Sequence, residues 1–135
     1  AGALETFLST SWRMTEAWDR MGVRLSGPPI TPSAALDMPS EPITRGAVQV
    51  AGDGVPTVLL ADHQTTGGYP KIATVLDCDL DAFVQLRPND IVKFQCVAPE
   101  QAILRARAAA ARAARYRQGI ERRVVAAMQG EMLSP

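Results

Sequence analysis

The pattern of apolar residues changes at Pro99, and this change limits the folds that the chain can adopt. Before Pro99, short β-type segments alternate with turns rich in proline and glycine. After it, about 28 residues consist largely of alanine and arginine, which both favour helix. We therefore predict a mainly β fold: an antiparallel β domain over residues 1–98, and a C-terminal helix over 99–130 that packs on this domain or extends from it. Gly130 is the predicted end of that helix.

Turn residues divide the β domain into segments. Residues 47–51 are predicted to pair with residues 56–62 across Gly52-Asp53-Gly54, whose glycines accept positive φ. The run at 57–61 is apolar on both faces, as in a buried strand. Other predicted strand segments are 18–25 (strand–turn–strand, with Gly22 at the bend), 72–76 and 91–98. Residues 80–86 are predicted as a short helical turn or irregular structure, and the proline-containing segments 27–34 and 37–42 as loops.

Charge and composition exclude several classes of protein. Residues 1–99 contain 7 Lys/Arg and 11 Asp/Glu (−4), and residues 100–135 contain 7 Arg and 3 Glu (+4). We interpret the basic tail as the solvated face of a helix and predict no nucleic-acid partner. No apolar run approaches the ~20 residues of a membrane span, and we expect no secretory leader. We expect a cytoplasmic protein, and the start at Ala1 indicates a piece of a longer polypeptide.

Cysteine and histidine give no sign of a metal centre. Cys78 and Cys96 form no CxxC pair and no cluster with histidine, so we predict no metal. His63 is the only histidine, and we interpret it as an exposed structural residue rather than a proton shuttle. There is no Walker A pattern and no GxSxG, so a self-contained nucleotide or serine-hydrolase site is not supported.

Residues 62–71 (DHQTTGGYPK) gather an unusual range of polar groups directly after the predicted buried strand. Binding groups commonly lie on loops that a rigid strand supports. Paired glycines let backbone N–H groups approach a ligand, and adjacent N–H groups can hold an anion. We interpret the segment as a binding loop for a small polar ligand rather than as a solvated turn. Its candidate groups are Asp62, Gln64, Thr65, Thr66, Gly67, Gly68, Tyr69 and Lys71.

Two arginines upstream of the loop are further candidates. Arg20 and Arg24 have the planar donors that bind a carboxylate or a phosphate. A surface ion pair with Asp19 or Glu16 explains them equally well. Within the loop, Asp62 is the better candidate for a base or an orienting carboxylate, because it stands where the buried strand ends.

Four blocks of sequence resemble allophanate hydrolase subunit 2, the biotin-dependent carboxyltransferase family. They are residues 19–28 (DRMGVRLSGP), 46–50 (GAVQV), 61–73 (ADHQTTGGYPKIA) and 85–90 (QLRPND), and their order and spacing match the family over about residues 7–104. The QTTGGYPK block is highly specific. Three positions depart from the family's usual residues: Trp18, Val23 and Asn89, where glycine is usual.

This resemblance implies a cyclophilin-like antiparallel β-barrel, present here as the C-terminal half of the family's unit. The family includes the carboxyltransferase part of urea carboxylase, the C subunit of bacterial 5-oxoprolinase and a Kip-type regulatory partner. The implied partners are the N-terminal half of the same unit and a subunit-1-type (Kip-inhibitor-like) protein. Because the N-terminal half helps to form the cleft, we expect little turnover from this chain alone.

The resemblance also implies a chemistry on urea, amide or lactam C–N bonds. In one version carboxybiotin on a separate carrier donates its carboxyl group; in the other, ATP activates a lactam. No cofactor is expected to be bound covalently, because no Met-Lys-Met attachment pattern occurs. The alternative is a non-catalytic binding or regulatory partner of a Kip-inhibitor-type subunit.

Roles follow for individual residues if the resemblance holds. Asp62 or Tyr69 would handle a proton, and Lys71 or Arg24 would stabilise developing negative charge. Substrate-binding roles are implied for Gln64, Thr65, Thr66, Gly67, Gly68, Arg20, Arg24 and Gln49.

Overall fold

A computed structural model describes residues 2–31 and 38–132. The chain divides into two units, Ala1–Val97 and Ala98–Pro135. The elements, in chain order, are α1 (Ala3–Ser9), β1 (Trp12–Trp18), β2 (Gly22–Ser26), β3 (Glu41–Pro42), β4 (Ala47–Val50), β5 (Pro56–Leu59), β6 (Thr66–Gly67), β7 (Lys71–Thr74), α2 (Asp77–Phe83), β8 (Ile91–Val92) and α3 (Pro99–Met132).

Six strands of the first unit form one antiparallel sheet in the order β7-β4-β5-β2-β1-β8. The sheet curls into a half-barrel. A second, two-stranded sheet joins β3 to β6. The prediction of a mainly β fold with a long C-terminal helix is confirmed, and so is the pairing of the strands on either side of Gly52-Asp53-Gly54, where Val50 lies opposite Pro56.

Strand β4 is buried on both faces, because its side chains alternate between the main core and a second layer of side chains. All four residues of β4 are buried. Val48 and Val50 belong to the main core, whereas Ala47 packs with Ile43 and Leu59 in a separate, smaller cluster. The sheet therefore has the main core on one face and a second, partly polar surface on the other.

Helices α1 and α2 contribute large side chains to the main core. Phe7 of α1 and Leu80 and Phe83 of α2 are buried there, beside Trp12 of β1. The indole N–H of Trp12 donates to the carbonyl oxygen of Phe7 at 2.9 Å, so the polar atom of this fully buried ring is paired. Arg45, just before β4, pairs with Asp77 and Asp81, one turn apart on α2.

Several predicted boundaries differ from the structure; Gly22, for example, is the first residue of β2 and not the bend between two strands. The strand predicted at 91–98 is only two residues long, because β8 pairs with Trp12 and Arg13 alone and Phe94 leaves the edge to stack on Phe7 at a centroid distance of 4.5 Å. Helix α3 continues through Gly130 to Met132. One glycine costs a helix only about 1 kcal/mol relative to alanine, which does not end a run of strong helix formers.

Helix α1 and strand β3 are two elements that the sequence does not predict. The sequence does not predict α1, which has no side-chain cap at Gly2 and has its Phe7 buried in the main core. Part of the predicted loop at 27–34 and 37–42 lies at residues 32–37, outside the described residues, and Glu41–Pro42 is strand β3.

The second unit is one helix. With 34 residues, α3 is about 50 Å long at 1.5 Å per residue. Its residues are largely exposed within the described structure, and these include the apolar side chains of Tyr116, Ile120 and Val124. None of the described helices combines the length with the apolar character that a membrane-spanning segment needs.

Gly46 provides a test of the turn before β4. Its φ is +84°, and a Cβ there would lie 2.5 Å from the carbonyl oxygen of Val75. We expect Gly46→Ala to lower the free energy of unfolding by at least about 2 kcal/mol, because backbone strain and a backbone clash combine. Urea denaturation followed by tryptophan fluorescence measures the change.

Gly119→Ala is the matched control. Gly119 lies in α3 with nothing within 4 Å of an added Cβ. The same chemical change should leave the stability of the β domain unaltered and favour the helix by up to about 1 kcal/mol. Equal effects of the two substitutions would contradict the account of the Gly46 turn.

Candidate functional site

An open cleft lies on the face of the sheet opposite the main core, with a volume of about 590 Å³. Its floor consists of residues from three adjacent strands: Gly22 and Arg24 of β2, Thr57 and Leu59 of β5, and Gln49 of β4. One wall is formed by residues 16–19 at the end of β1. The other wall comes from Gln64 and Tyr69 of the loop before β7. The curl of the sheet thus brings β1 and the polar loop around one space.

Gln49 is the buried polar residue of the cleft floor. Its side chain is 5% exposed, and its Nε2 has no hydrogen-bond partner among residues 2–31 and 38–132. Gly67 of the polar loop approaches it closely, since a Cβ on that glycine would lie 3.1 Å from Nε2. An amide donor without a partner in a buried position costs about 1–3 kcal/mol. A residue that lines the cleft thus carries a buried amide donor with no partner in the described part of the chain.

The polar loop 62–71 is held against the segment before β4. Thr66 and Gly67 form β6 and pair with Glu41 and Pro42 of β3, and the carbonyl oxygen of Thr65 accepts a 3.0 Å bond from Ile43 N–H. These contacts fix the loop as part of a small sheet. The predicted ligand roles of Thr65 and Thr66 stay predictions, because neither residue is among those that line the cleft.

The two adjacent glycines of the loop allow close packing within the protein. A Cβ on Gly67 would lie 2.6 Å from Ile43 Cδ1, and one on Gly68 would lie 2.7 Å from the carbonyl oxygen of Met38. Both spaces hold atoms of this chain. The contact of Gly67 with Gln49 Nε2 links the loop to the cleft floor, so a side chain at Gly67 would displace the buried amide.

The three predicted catalytic residues have different surroundings. Tyr69 lines the cleft and is half exposed. Asp62 instead pairs with Arg20 through two contacts, Nε–Oδ2 at 2.8 Å and Nη2–Oδ1 at 3.2 Å. Lys71 pairs with Glu41 of β3. The structure thus brings Tyr69 together with Gln49, Gln64 and Arg24, and it places Asp62, Lys71 and Arg20 in ion pairs that are not among the cleft-lining residues.

Arg24 projects from β2 into the cleft and is held by Asp53 of the β4–β5 turn. Their Nη2–Oδ2 distance is 2.5 Å. The pKa of Asp53 lies below its ordinary value of 3.8, first because Val55 N–H donates to its carboxylate and second because Arg24 does. One bond to Asp53 leaves other guanidinium N–H groups of Arg24 for a ligand.

His63, Cys78 and Cys96 are of the residue types that commonly bind metal ions. His63 is half-buried, and its Nδ1 lies 2.6 Å from the carbonyl oxygen of Gln64. Both cysteines are free thiols. Within the described part of the chain, no three His, Cys, Asp or Glu side chains are grouped so that they could hold a metal ion.

Sequence reasoning missed the wall formed by Glu16, Ala17 and Trp18. The register between β1 and β2 shifts here, since Met14 pairs with Leu25 but Trp18 pairs with Val23. Residues 15–17 of β1 thus lie opposite the single residue Arg24 of β2. The poor alternation of apolar and polar residues in this part of the sequence is the signal of that bulge, and bulges commonly lie beside functional sites.

Comparison with known proteins connects this cleft to a family. Residues 1–96 match the family described as carboxyltransferase domain, subdomain A and B. The C subunit of the Haemophilus influenzae 5-oxoprolinase is 45% identical over 91 residues, which are 67% of this chain and 29% of that protein. The C subunit of the Escherichia coli K12 5-oxoprolinase is 34% identical over 99 residues, 73% of this chain and 32% of that protein.

A solved structure has the same fold. The crystal structure of the K. lactis urea amidolyase superposes with a TM-score of 0.64 at 25% identity, over 73% of this chain and 6% of that one. The chain spans about a third of the length of the curated relatives it matches.

The pKa of Asp53 tests the geometry at Arg24. We expect a carboxyl pKa below 3.8 in an NMR titration, and a higher value in Arg24→Ala. Because the folded pKa is lowered, the stabilising contribution of Asp53 is present above the unfolded pKa and is lost as the pH falls through the folded pKa. The increase should be partial, since the bond from Val55 N–H remains. Arg13→Ala is the control, and an unchanged Asp53 pKa in Arg24→Ala would show that the ion pair does not form in solution.

Proposed function

This chain belongs to the carboxyltransferase domain family, subdomains A and B, and on that premise we propose that it supplies one wall of the substrate cleft in a protein of the 5-oxoprolinase C-subunit type. The proposed substrate carries a planar amide C–N group, as in a lactam. Both curated relatives are named as the C subunit of a 5-oxoprolinase, which supports a lactam over a urea.

The buried, unpaired Nε2 of Gln49 carries the proposal. A site that hydrogen-bonds an amide oxygen needs a donor held in place before the substrate arrives. Gln49 meets this requirement because β4 is buried on both faces and Gly67 packs against the amide. A lactam carbonyl that enters the cleft would accept this hydrogen bond and remove the cost of the unpaired donor.

The charges around the cleft favour a substrate of low charge. Its titratable lining consists of Glu16 and Asp19 against Arg24, with Tyr69 as a phenol. Arg24 already pairs with Asp53. One carboxylate can bind at the remaining guanidinium donors of Arg24, but a triphosphate would meet two acids. These residues therefore do not fit ATP, and we assign no step of the chemistry to ATP in this cleft.

A biotin ureido group fits the same residues better. It is neutral and planar, and its carbonyl oxygen can accept from an amide donor. If a biotin carrier serves the whole protein, Gln64 would hold the ureido group, which supplies transfer of a carboxyl group when it is carboxylated, and Gln49 would keep the carbonyl group of the acceptor. The residues of this chain would orient the acceptor and exclude water.

Among the predicted catalytic residues, Tyr69 is the one placed to contact a substrate. Its phenol lies at the cleft and would donate or accept a proton at the amide nitrogen or oxygen. Asp62 and Lys71 act as positioning residues in this proposal. Their ion pairs with Arg20 and Glu41 tie the two ends of the loop to neighbouring segments, and so they hold Tyr69 against the cleft.

The complete active site is proposed to need partners. The cleft is open, and the matched part of this chain covers only 29% and 32% of the two curated relatives. We propose that the preceding part of the same unit forms the opposite wall and that a subunit-1-type, Kip-inhibitor-like protein binds the assembled unit.

The substitution Gln49→Met should affect catalysis and stability in opposite directions. The substitution keeps the size and flexibility of the side chain and removes the unpaired donor. In the whole protein with its partner subunits, we expect kcat/KM for 5-oxoproline hydrolysis to fall about 100-fold or more. The free energy of unfolding of this chain should rise by about 1 kcal/mol, because a buried unpaired amide becomes an apolar group.

The control is Gln95→Met, at an exposed position outside the cleft. It should change neither kcat/KM nor the free energy of unfolding. A loss of both stability and activity in Gln49→Met would assign Gln49 a structural role.

Biotin-dependent urea carboxylation is measured beside lactam hydrolysis. Absence of both activities in every combination of partners would favour a non-catalytic, regulatory protein.

A further inference from the structure

Trp18 is an exposed aromatic side chain at the wall of the cleft. It is 52% exposed, although a tryptophan side chain offers about 150–250 Å² for burial. We propose that Trp18 is a specificity-determining residue, whose indole covers the apolar face of a substrate ring while Gln49 binds the ring's carbonyl group. The inference rests on the proposed function for the identity of the ring.

The backbone holds Trp18 in a defined position. Between Met14 and Trp18 the strand bulges, and the hydroxyl of Thr15 bridges the irregularity. It donates to the carbonyl oxygen of Arg24 at 2.6 Å and accepts from Ala17 N–H at 3.2 Å. The bulge is thereby fastened to β2, so Trp18 belongs to an ordered strand end that returns to its pairing at Val23.

The floor next to Trp18 leaves room for a ring. Gly22 begins β2, lines the cleft and presents no side chain to it. On the other wall, Tyr69 is 49% exposed. Trp18 and Tyr69 extend from opposite ends of the curled run β7-β4-β5-β2-β1, with the buried amide between them.

The charges near Trp18 orient a bound ring. Glu16 and Asp19 flank the indole in the chain and line the same wall. An anionic group beside them would be repelled. The carboxylate of 5-oxoproline would therefore lie towards Arg24, with the methylene groups of the ring against Trp18. Urea has no methylene group and would gain nothing from the indole.

Fluorescence quenching gives a direct test in this chain. Trp12 and Trp18 are its two tryptophans, and Trp12 is fully buried. Quenching by acrylamide therefore reports mainly on Trp18. We expect 5-oxoproline to protect Trp18 from acrylamide and urea at the same low concentration to leave it accessible. Absence of protection by 5-oxoproline would overturn the assignment.

Variants of the whole protein test the effect on selectivity. Trp18→Ser should raise KM for 5-oxoproline about tenfold and leave kcat within about twofold, whereas Trp18→Phe should keep most of the affinity. Ile91→Ser is the matched control, because Ile91 is equally exposed, at 53%, and lies outside the cleft lining. An unchanged KM in Trp18→Ser, or an equal change in Ile91→Ser, would contradict the proposal.

The two proposals fail in distinguishable ways. If no partner combination hydrolyses 5-oxoproline, the proposed function fails, and the quenching experiment still decides whether Trp18 contacts the ring. If hydrolysis occurs and Trp18→Ser behaves as the wild type does, the function stands and the role of Trp18 is rejected.

Discussion

The structure depends on the burial of β4 and β5 on both faces. One face of these strands packs Val48, Val50 and Val58 into the main core, while the other packs Ala47 and Leu59 and carries Gln49 beneath the cleft. Because successive side chains alternate across a strand, a shift of register by one residue would exchange the two sets. The same packing that stabilises the fold therefore fixes the position of the buried amide.

The strand pairing and the helix were predictable because their signals are local. A glycine-rich turn between two apolar runs predicts the β4–β5 hairpin, and a run of alanine and arginine after Pro99 predicts α3. The end of β8 was not predictable, since Phe94 leaves the strand for a stacking contact with Phe7, 87 residues earlier in the chain. Local alternation contains no information about that partner.

The candidate site likewise has one part that local sequence predicts and another part that tertiary contacts determine. The sequence places polar groups in the loop 62–71, but it does not show which of them face the cleft. That depends on ion pairs between distant segments: Asp62 with Arg20, and Lys71 with Glu41. Trp18 joins the site only because a bulge changes the register of β1. The site therefore depends on tertiary contacts between distant segments. A resemblance to a family over many residues predicts such contacts better than a single motif does.

The unpaired donor of Gln49 has a thermodynamic consequence for the ligand-free protein. Its cost is part of the folded state's free energy, so a molecule that accepts the hydrogen bond selectively favours folding. Saturation at about 100 times the dissociation constant adds about 2.7 kcal/mol to the stability, and the melting temperature then depends on ligand concentration. If carbonyl compounds bind at Gln49 as proposed, thermal melting would rank them as ligands without any turnover, and without the partner proteins that catalysis is proposed to require.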